Sequence, residues 1–417
     1  MIGYRTAAAP RGLTDGGTPL PLRVATVITR LEGGAGLLAL RGAQALHPEV
    51  VTPTIVTGSG GRLIDAAAAS GIEVVVEPSL REVIAPRSDL LALGRLETFF
   101  RERDFGVVHT HCAKAGAVGR LAARRAAVPR IVHTFHGFPF HEFQSPARRR
   151  AYMSIERRLG RGTDVALCVG AGVAAEAVRR ELIAPDRVRT IGVAVDGPAR
   201  ARASMTAQLP QARQHARATL GLPADATVVG AVGRLTYQKA PEDFVAALGG
   251  LGRPDVIGVW VGGGELAERV GRRAGRLSGP RVILAGERTD VLDVLPAFDV
   301  FALPSRYEGL PTVIVEAMIC GVPVVATAVN AVPDLVVPGE TGMLVPPRRP
   351  GQLAAAIRYL LDSPQAAAQM AATARARVGD RYGELWAPRS RRRTRPAPAL
   401  VLKVRSHLRS VQPLDFR

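Results

Sequence analysis

One short pattern, repeated along most of the chain, constrains what it can fold into: an apolar β-rich run, a turn, then a segment of helical composition. LRVATVITRL (Leu22–Leu31) enters a glycine-rich turn at Gly33, Gly34 and Gly36, followed by helix-compatible LLALRGAQAL. TPTIVTG, GIEVVVEP, FGVVHTH before KAGAVGRLAARRAA, PRIVHTFHG, and DVALCVG before AAEAVRREL continue the series. From about Asp196 to Ala226 it gives way to DGPARARASMTAQLPQARQ, polar and proline-containing, which reads as a linker with a short helix. A second series then runs TVVGAVGRL, VIGVWVGGG, RVILAG, DVFALPS, VPVVATA and TGMLVPP. Strands alternating with helices predict parallel sheets covered on both faces. The expected fold is therefore α/β, with two doubly wound domains in tandem at residues 22–196 and 227–379, joined by a linker at 197–226. A flexible N-terminus (1–21) and an atypical basic tail (380–417) flank them. Such domains bind ligands at the carboxyl ends of their strands, and two facing each other make a deep cleft.

Composition narrows the setting. Apolar residues form 47% of the 417, enough for large cores. The start, MIGYRTAAAPRGLTDGG, has no continuous apolar stretch, and no later run reaches the ~20 apolar residues that span a bilayer, so the expected location is the cytosol. Cys112, Cys168 and Cys320 are odd in number and far apart, which speaks against a disulfide framework or a cysteine-rich zinc site. The formal net charge of +19 suits polyanionic partners. Because the charge is arginine scattered along the chain, it reads as residue usage rather than a nucleic-acid surface. The tail RSRRRTRPAPALVLKVRSHLRSVQPLDFR is the one block suited to peripheral contact with an anionic membrane at its inner face; the plainer expectation is an unstructured terminus.

Two segments carry chemistry. In RYEGLPTVIVEAM, Glu308 and Glu316 stand eight residues apart around Gly309 and Pro311, predicting a helix from about Pro311 to Cys320 that exits at Gly321. Its N-terminal amides, unobstructed at Gly309, suit a phosphate, and the two carboxylates suit sugar hydroxyls. In VGAVGRLTYQKAPEDF, Arg234 and Lys239 share a loop between a strand and a helix starting near Pro241. Lysine otherwise occurs only at Lys114 and Lys403, so its presence here is informative. A guanidinium fork and a compact ammonium on one loop make a metal-free clamp for a diphosphate, each charge-assisted hydrogen bond contributing about 1.5–3 kcal/mol. Gly34-Ala35-Gly36 only partly matches a dinucleotide fingerprint, because Ala39 takes the last glycine position. His109, His111, Cys112, His133, His136 and His141 have no compact zinc spacing, and there is no D-x-D motif, so neither a metal nor another cofactor is expected.

GRLTYQK, the glutamate spacing in EGLPTVIVEA, and GVPVVATAVNAVPDLVVPGETGMLVPP together closely resemble the retaining "family four" glycosyltransferases of the two-domain GT-B fold. VITRLEGG and VVHTHCAKAGAVGRLAARRAAVPRIVHTFHGFPFHEF extend the resemblance to members acting in polysaccharide or glycolipid assembly, over roughly Leu22 to Gly379. The resemblance implies that Arg234 and Lys239 bind the donor diphosphate and that Glu308 contacts the transferred sugar. The amides of Gly309 and Leu310 would support it, and Glu316 would take the ribose hydroxyls. His136 would approach donor sugar and diphosphate, Gly33 to Gly36 would border acceptor and phosphates, and Thr289 and Asp290 would lie near the base. It further implies a UDP- or GDP-linked sugar as donor, a saccharide, lipid-linked or small-molecule acceptor, and retention of configuration. The alternatives are a nucleotide-sugar epimerase on the same fold and a non-catalytic polyanion-binding protein.

Overall fold

The computed structural model describes residues 14–15, 18–19, 21–47, 49–192 and 210–382. Residues 193–209 of the expected linker and nearly all of the basic tail, from 383, lie outside the described residues. Within the segment read as a flexible N-terminus, Thr14–Asp15 pairs antiparallel with Thr18–Pro19.

The first series of runs forms a seven-stranded sheet. Its strands are β1 (Leu22–Leu31), β2 (Val51–Gly60), β3 (Glu73–Val76), β4 (Val107–His111), β5 (Arg130–Phe135), β6 (Val165–Cys168) and β7 (Val188–Thr190). They lie in the order β3-β2-β1-β4-β5-β6-β7. β1 pairs in parallel with β2 and β4, and Val24 through Thr29 of it are buried without alternation, as expected of a central strand covered on both faces. The helix after β1 runs Gly33–Gln44, so the glycine-rich segment opens the helix instead of forming a separate turn before it. A Cβ on Gly36 would stand 2.8 Å from the Leu31 carbonyl carbon, so glycine there lets the helix pack closely on the strand it follows. The strand histidines are packing groups: His109 Nε2 lies 2.7 Å from Thr134 Oγ1, and His133 Nδ1 lies 2.9 Å from Thr110 Oγ1. Burial lowers His109 to about 4, which keeps it neutral.

The second series forms a six-stranded, wholly parallel sheet. It consists of β8 (Thr227–Val232), β9 (Val256–Val261), β10 (Arg281–Leu284), β11 (Val300–Leu303), β12 (Val324–Thr327) and β13 (Met343–Val345), in the order β10-β9-β8-β11-β12-β13. The winding direction reverses between β8 and β11, so the loops leaving these two neighbours diverge and open a crevice at their carboxyl ends. Trp260 of β9 is buried edge-on to Phe244, with ring centroids 5.5 Å apart, and its indole N–H donates to the Gly233 carbonyl at 2.8 Å, pinning the start of the β8 loop. The short helix expected within the linker segment is Pro210–Thr219. Its buried Arg217 donates to Asp299 at 3.1 Å, and Asp299 also accepts the Val228 amide at 2.7 Å at the start of β8.

By contacts the chain divides into two compact units, but not at the linker. The first takes the described residues up to Thr134 with Ser154–Ala166; the second takes Phe135–Met153 and the described residues from Leu167 to 382.

Candidate functional site

The crevice lies wholly in the second unit, and the two loops flanking its switch point supply its charges. Leaving β8, Gly233 turns the chain so that the Lys239 stem lies against it, a Cβ there standing 3.3 Å from Lys239 Cδ. Ala240, in the left-handed region at φ 51°, starts the helix Pro241–Gly249. Leaving β11, Ser305 to Pro311 lead into the helix Thr312–Ile319, with Pro311 at its N-cap and Cys320 at its C-cap, each one residue outside the helix.

Arg306 staples the two loops together. Its amide donates to Gln238 O at 2.8 Å, its guanidinium donates to Tyr237 O at 3.0 Å and Asp243 at 3.3 Å, and its Cζ lies 4.2 Å from the Tyr237 ring centroid. Lys239 and Glu308 consequently meet: Nζ lies 2.5 Å from Oε1, with side chains 16% and 5% exposed. Ser305 Oγ donates to the same carboxylate oxygen at 2.6 Å, and Gln238 Nε2 approaches the other at 3.4 Å. Lysine has three N–H donors and Glu308 takes one, so two remain for an anion.

Arg234 is exposed, and its guanidinium has no hydrogen-bond or ion-pair partner among the described residues. It acts electrostatically on Tyr307, whose phenol burial pushes up. Glu316 lies half-buried on the helix face and likewise has no side-chain hydrogen-bond or ion-pair partner among the described residues; burial raises its carboxyl to about 7.

The segment Phe135–Met153 completes the site. His141 stacks on Tyr307, with centroids 4.1 Å apart and planes 9° apart. The His136 carbonyl presses on Gly309, where a Cβ would fall 1.5 Å from it. Gly309 is thus not an unobstructed opening, as its sequence position suggested: it is the residue that allows a second backbone to cross the loop. The amides of Gly309 and Leu310 have no acceptor among the described residues, while the Glu308 amide donates to Asn330 Oδ1 at 2.9 Å.

The family model for glycosyl transferases group 1 matches residues 226–363, and that for Glycosyltransferase Family 4 matches residues 32–196. A D-inositol 3-phosphate glycosyltransferase of Kineococcus radiotolerans is 33% identical over 309 residues, 66% of this chain and 68% of that protein. The chain belongs to glycosyltransferase family 4. A UDP-Gal:alpha-D-GlcNAc-diphosphoundecaprenol alpha-1,3-galactosyltransferase of Escherichia coli is 29% identical to this glycosyltransferase over 306 residues, 72% of this chain and 77% of that one. Alignments with other D-inositol 3-phosphate glycosyltransferases span less than two thirds of those relatives' length. The fold is GT-B: the Anabaena protein HepE, crystallised with UDP and glucose, superposes with a TM-score of 0.72 at 21% identity, covering 87% of this chain and 95% of that one.

Of the other expected site residues, Asp290 is held by Arg288 at 2.8 and 2.6 Å, and Thr289 beside it is exposed. Glu287 of their loop crowds Gly263, and Gly262–Gly264 in turn abut Gly233 and Leu235. The Glu287 part of that loop therefore borders the Arg234 loop from its β9 and β10 side. Gly33, Gly34 and Gly36 belong to the other unit. Sequence reasoning missed Ser305, Gln238, Asn330 and the His141–Tyr307 stack. Among the described residues, no group of three or more His, Cys, Asp or Glu side chains is placed to hold a metal ion.

Proposed function

We propose that this glycosyltransferase transfers a sugar from a nucleotide-diphosphate donor, UDP-linked in our reading, to a saccharide or lipid-linked acceptor with retention. The observation that carries the proposal is the Lys239–Glu308 pair at the switch point, with the Arg234 guanidinium, unpartnered among the described residues, on the same loop. Lys239 and Arg234 receive the diphosphate with the amides of Gly309 and Leu310. Glu308, oriented by Ser305 and Gln238, meets the transferred sugar, His136 closes on sugar and phosphate, and Glu316 takes the ribose hydroxyls. Thr289 and Asp290 border the base. As the anomeric C–O bond breaks, the electron pair leaves on the phosphate, and the two cations, already positioned, stabilise the growing charge without a metal ion. The acceptor oxygen bonds to the anomeric carbon and its proton passes to the departing phosphate.

The UDP-Gal donor of the Escherichia coli relative and the UDP bound by the Anabaena neighbour support uridine as the base, and the diphosphoundecaprenol acceptor of the former supports a lipid-diphosphate acceptor. A lipid acceptor also accords with an apolar patch in the first unit. Val83, Ile84, Leu90 and Leu91 are exposed there beside Arg81 and Arg87, and Lys114 ties the patch together through the Val83 carbonyl at 2.8 Å and Asp89 at 2.6 Å.

The test is nucleoside diphosphate release from a panel of UDP- and GDP-sugars, with and without chelator, in wild type, Arg234→Ala and Lys239→Ala. We expect chelator-resistant release from a UDP-sugar and a loss of roughly 10²-fold or more in either variant. Activity abolished by chelator and restored by magnesium or manganese would overturn the metal-free clamp. An isomerised donor formed without acceptor would favour the epimerase instead.

A further inference from the structure

We propose that Asn330 is a positioning residue for sugar transfer, its side-chain carbonyl holding the backbone on which Glu308 is presented. The proposal rests on the role given to Glu308 above. Asn330 follows β12 in TAVNAVP and has φ 47°, in the left-handed region that asparagine and glycine tolerate and other residues adopt at a cost. From there its Oδ1 accepts the Glu308 N–H at 2.9 Å, and the next amide, that of Ala331, donates to Gly309 O at 3.4 Å. One turn therefore grips the chain on both sides of the Glu308–Gly309 step.

The constraint is separate from those on the carboxylate. Ser305, Lys239 and Gln238 all act on the Glu308 side-chain oxygens. Asn330 alone among the described residues fixes the Glu308 peptide N–H. A rotation of that peptide would carry the carboxylate and the Gly309 and Leu310 amides together, displacing groups that must meet sugar and phosphate at once. The turn is itself anchored from behind. Asp334 accepts the Gly172 N–H at 3.1 Å, and the Asn330 carbonyl would stand 2.4 Å from any Cβ on Gly172. Asn330 itself is exposed, so packing does not explain an amide there, and glycine would satisfy the backbone angle but offer no acceptor.

The test compares wild type, Asn330→Gly, Asn330→Asp and Glu308→Gln by steady-state kinetics of nucleoside diphosphate release from UDP-sugar, alongside thermal melts. Glycine keeps the backbone conformation and removes the acceptor; aspartate keeps both. We expect Asn330→Gly to lower kcat about tenfold with donor KM within about twofold, as for one lost hydrogen bond that orients a reacting group. Asn330→Asp should recover most of that turnover. Wild-type kcat in Asn330→Gly, a loss confined to KM, or an Asn330→Asp enzyme as slow as Asn330→Gly would each overturn the proposal while Glu308→Gln remains impaired. Full turnover in Glu308→Gln would instead remove the role of Glu308 on which the proposal rests.

Discussion

Glu308 and Glu316 stand eight residues apart, yet one carboxylate meets a lysine, a hydroxyl and an amide, while the other has no side-chain hydrogen bond or ion pair among the described residues. The difference has a consequence for stability. Burial lifts Glu316 from an ordinary 4.5 to about 7, so the native state holds a proton that the unfolded chain releases earlier. Below about 4.5 both states are protonated and the carboxyl costs nothing. As pH rises through that window the unfolded state is favoured, and stability declines until the native group ionises near 7. Glu316→Gln should therefore flatten the fall in melting temperature between about pH 4.5 and 7, measured without nucleotide, relative to wild type. Parallel curves for the two proteins would show that Glu316 titrates as an ordinary surface carboxyl. The same substitution should weaken binding of a donor nucleotide above pH 7, because an amide accepts fewer ribose hydroxyl bonds than a carboxylate.

Among the secondary elements, the crevice depends on two backbones crossing at Gly309. Gly309→Ala would set a methyl group 1.5 Å from the His136 carbonyl, and neither backbone has a rotamer with which to yield. We expect it to destabilise the protein by about 1–3 kcal/mol or more and to remove turnover, read by thermal melting and initial rate. A variant with unchanged melting temperature and activity would mean that the crossing relaxes freely. The glycine was legible in the sequence, but its reason was not: residues 136 and 309 approach only through tertiary structure. The core strands were legible because strands buried on both faces are written as continuous apolar runs. β7, Val188–Thr190, was not, being short and half-buried to exposed with an arginine at its centre. Lys239 stood out because lysine is rare here, and the helix Thr312–Ile319 because proline and glycine mark its ends. Asn330, Gln238 and Ser305 carried no such mark, since each matters through a partner on another loop or across a turn.

The molecule as a whole carries a formal charge of +19, and among its described residues no helix is long and apolar enough to cross a membrane. If the acceptor is lipid-linked, attraction to anionic headgroups and the apolar patch around Ile84 and Leu90 should act together. Binding to anionic vesicles should then fall steeply with added salt, and fall further when Ile84 and Leu90 are replaced by serine, while donor-nucleotide affinity stays unchanged. Cosedimentation that ignores both salt and the serine replacements would reject the patch as a membrane contact. The division into units also has a bearing on biosynthesis. The ribosome delivers His141 and Phe143 well before Tyr307 and Arg348 exist to cover their rings, and Gly172 emerges 162 residues ahead of the Asp334 carboxylate that takes its amide. At about 5–20 residues per second that delay lasts on the order of ten to thirty seconds, during which the nascent chain holds unpaired aromatic surface from a half-made unit.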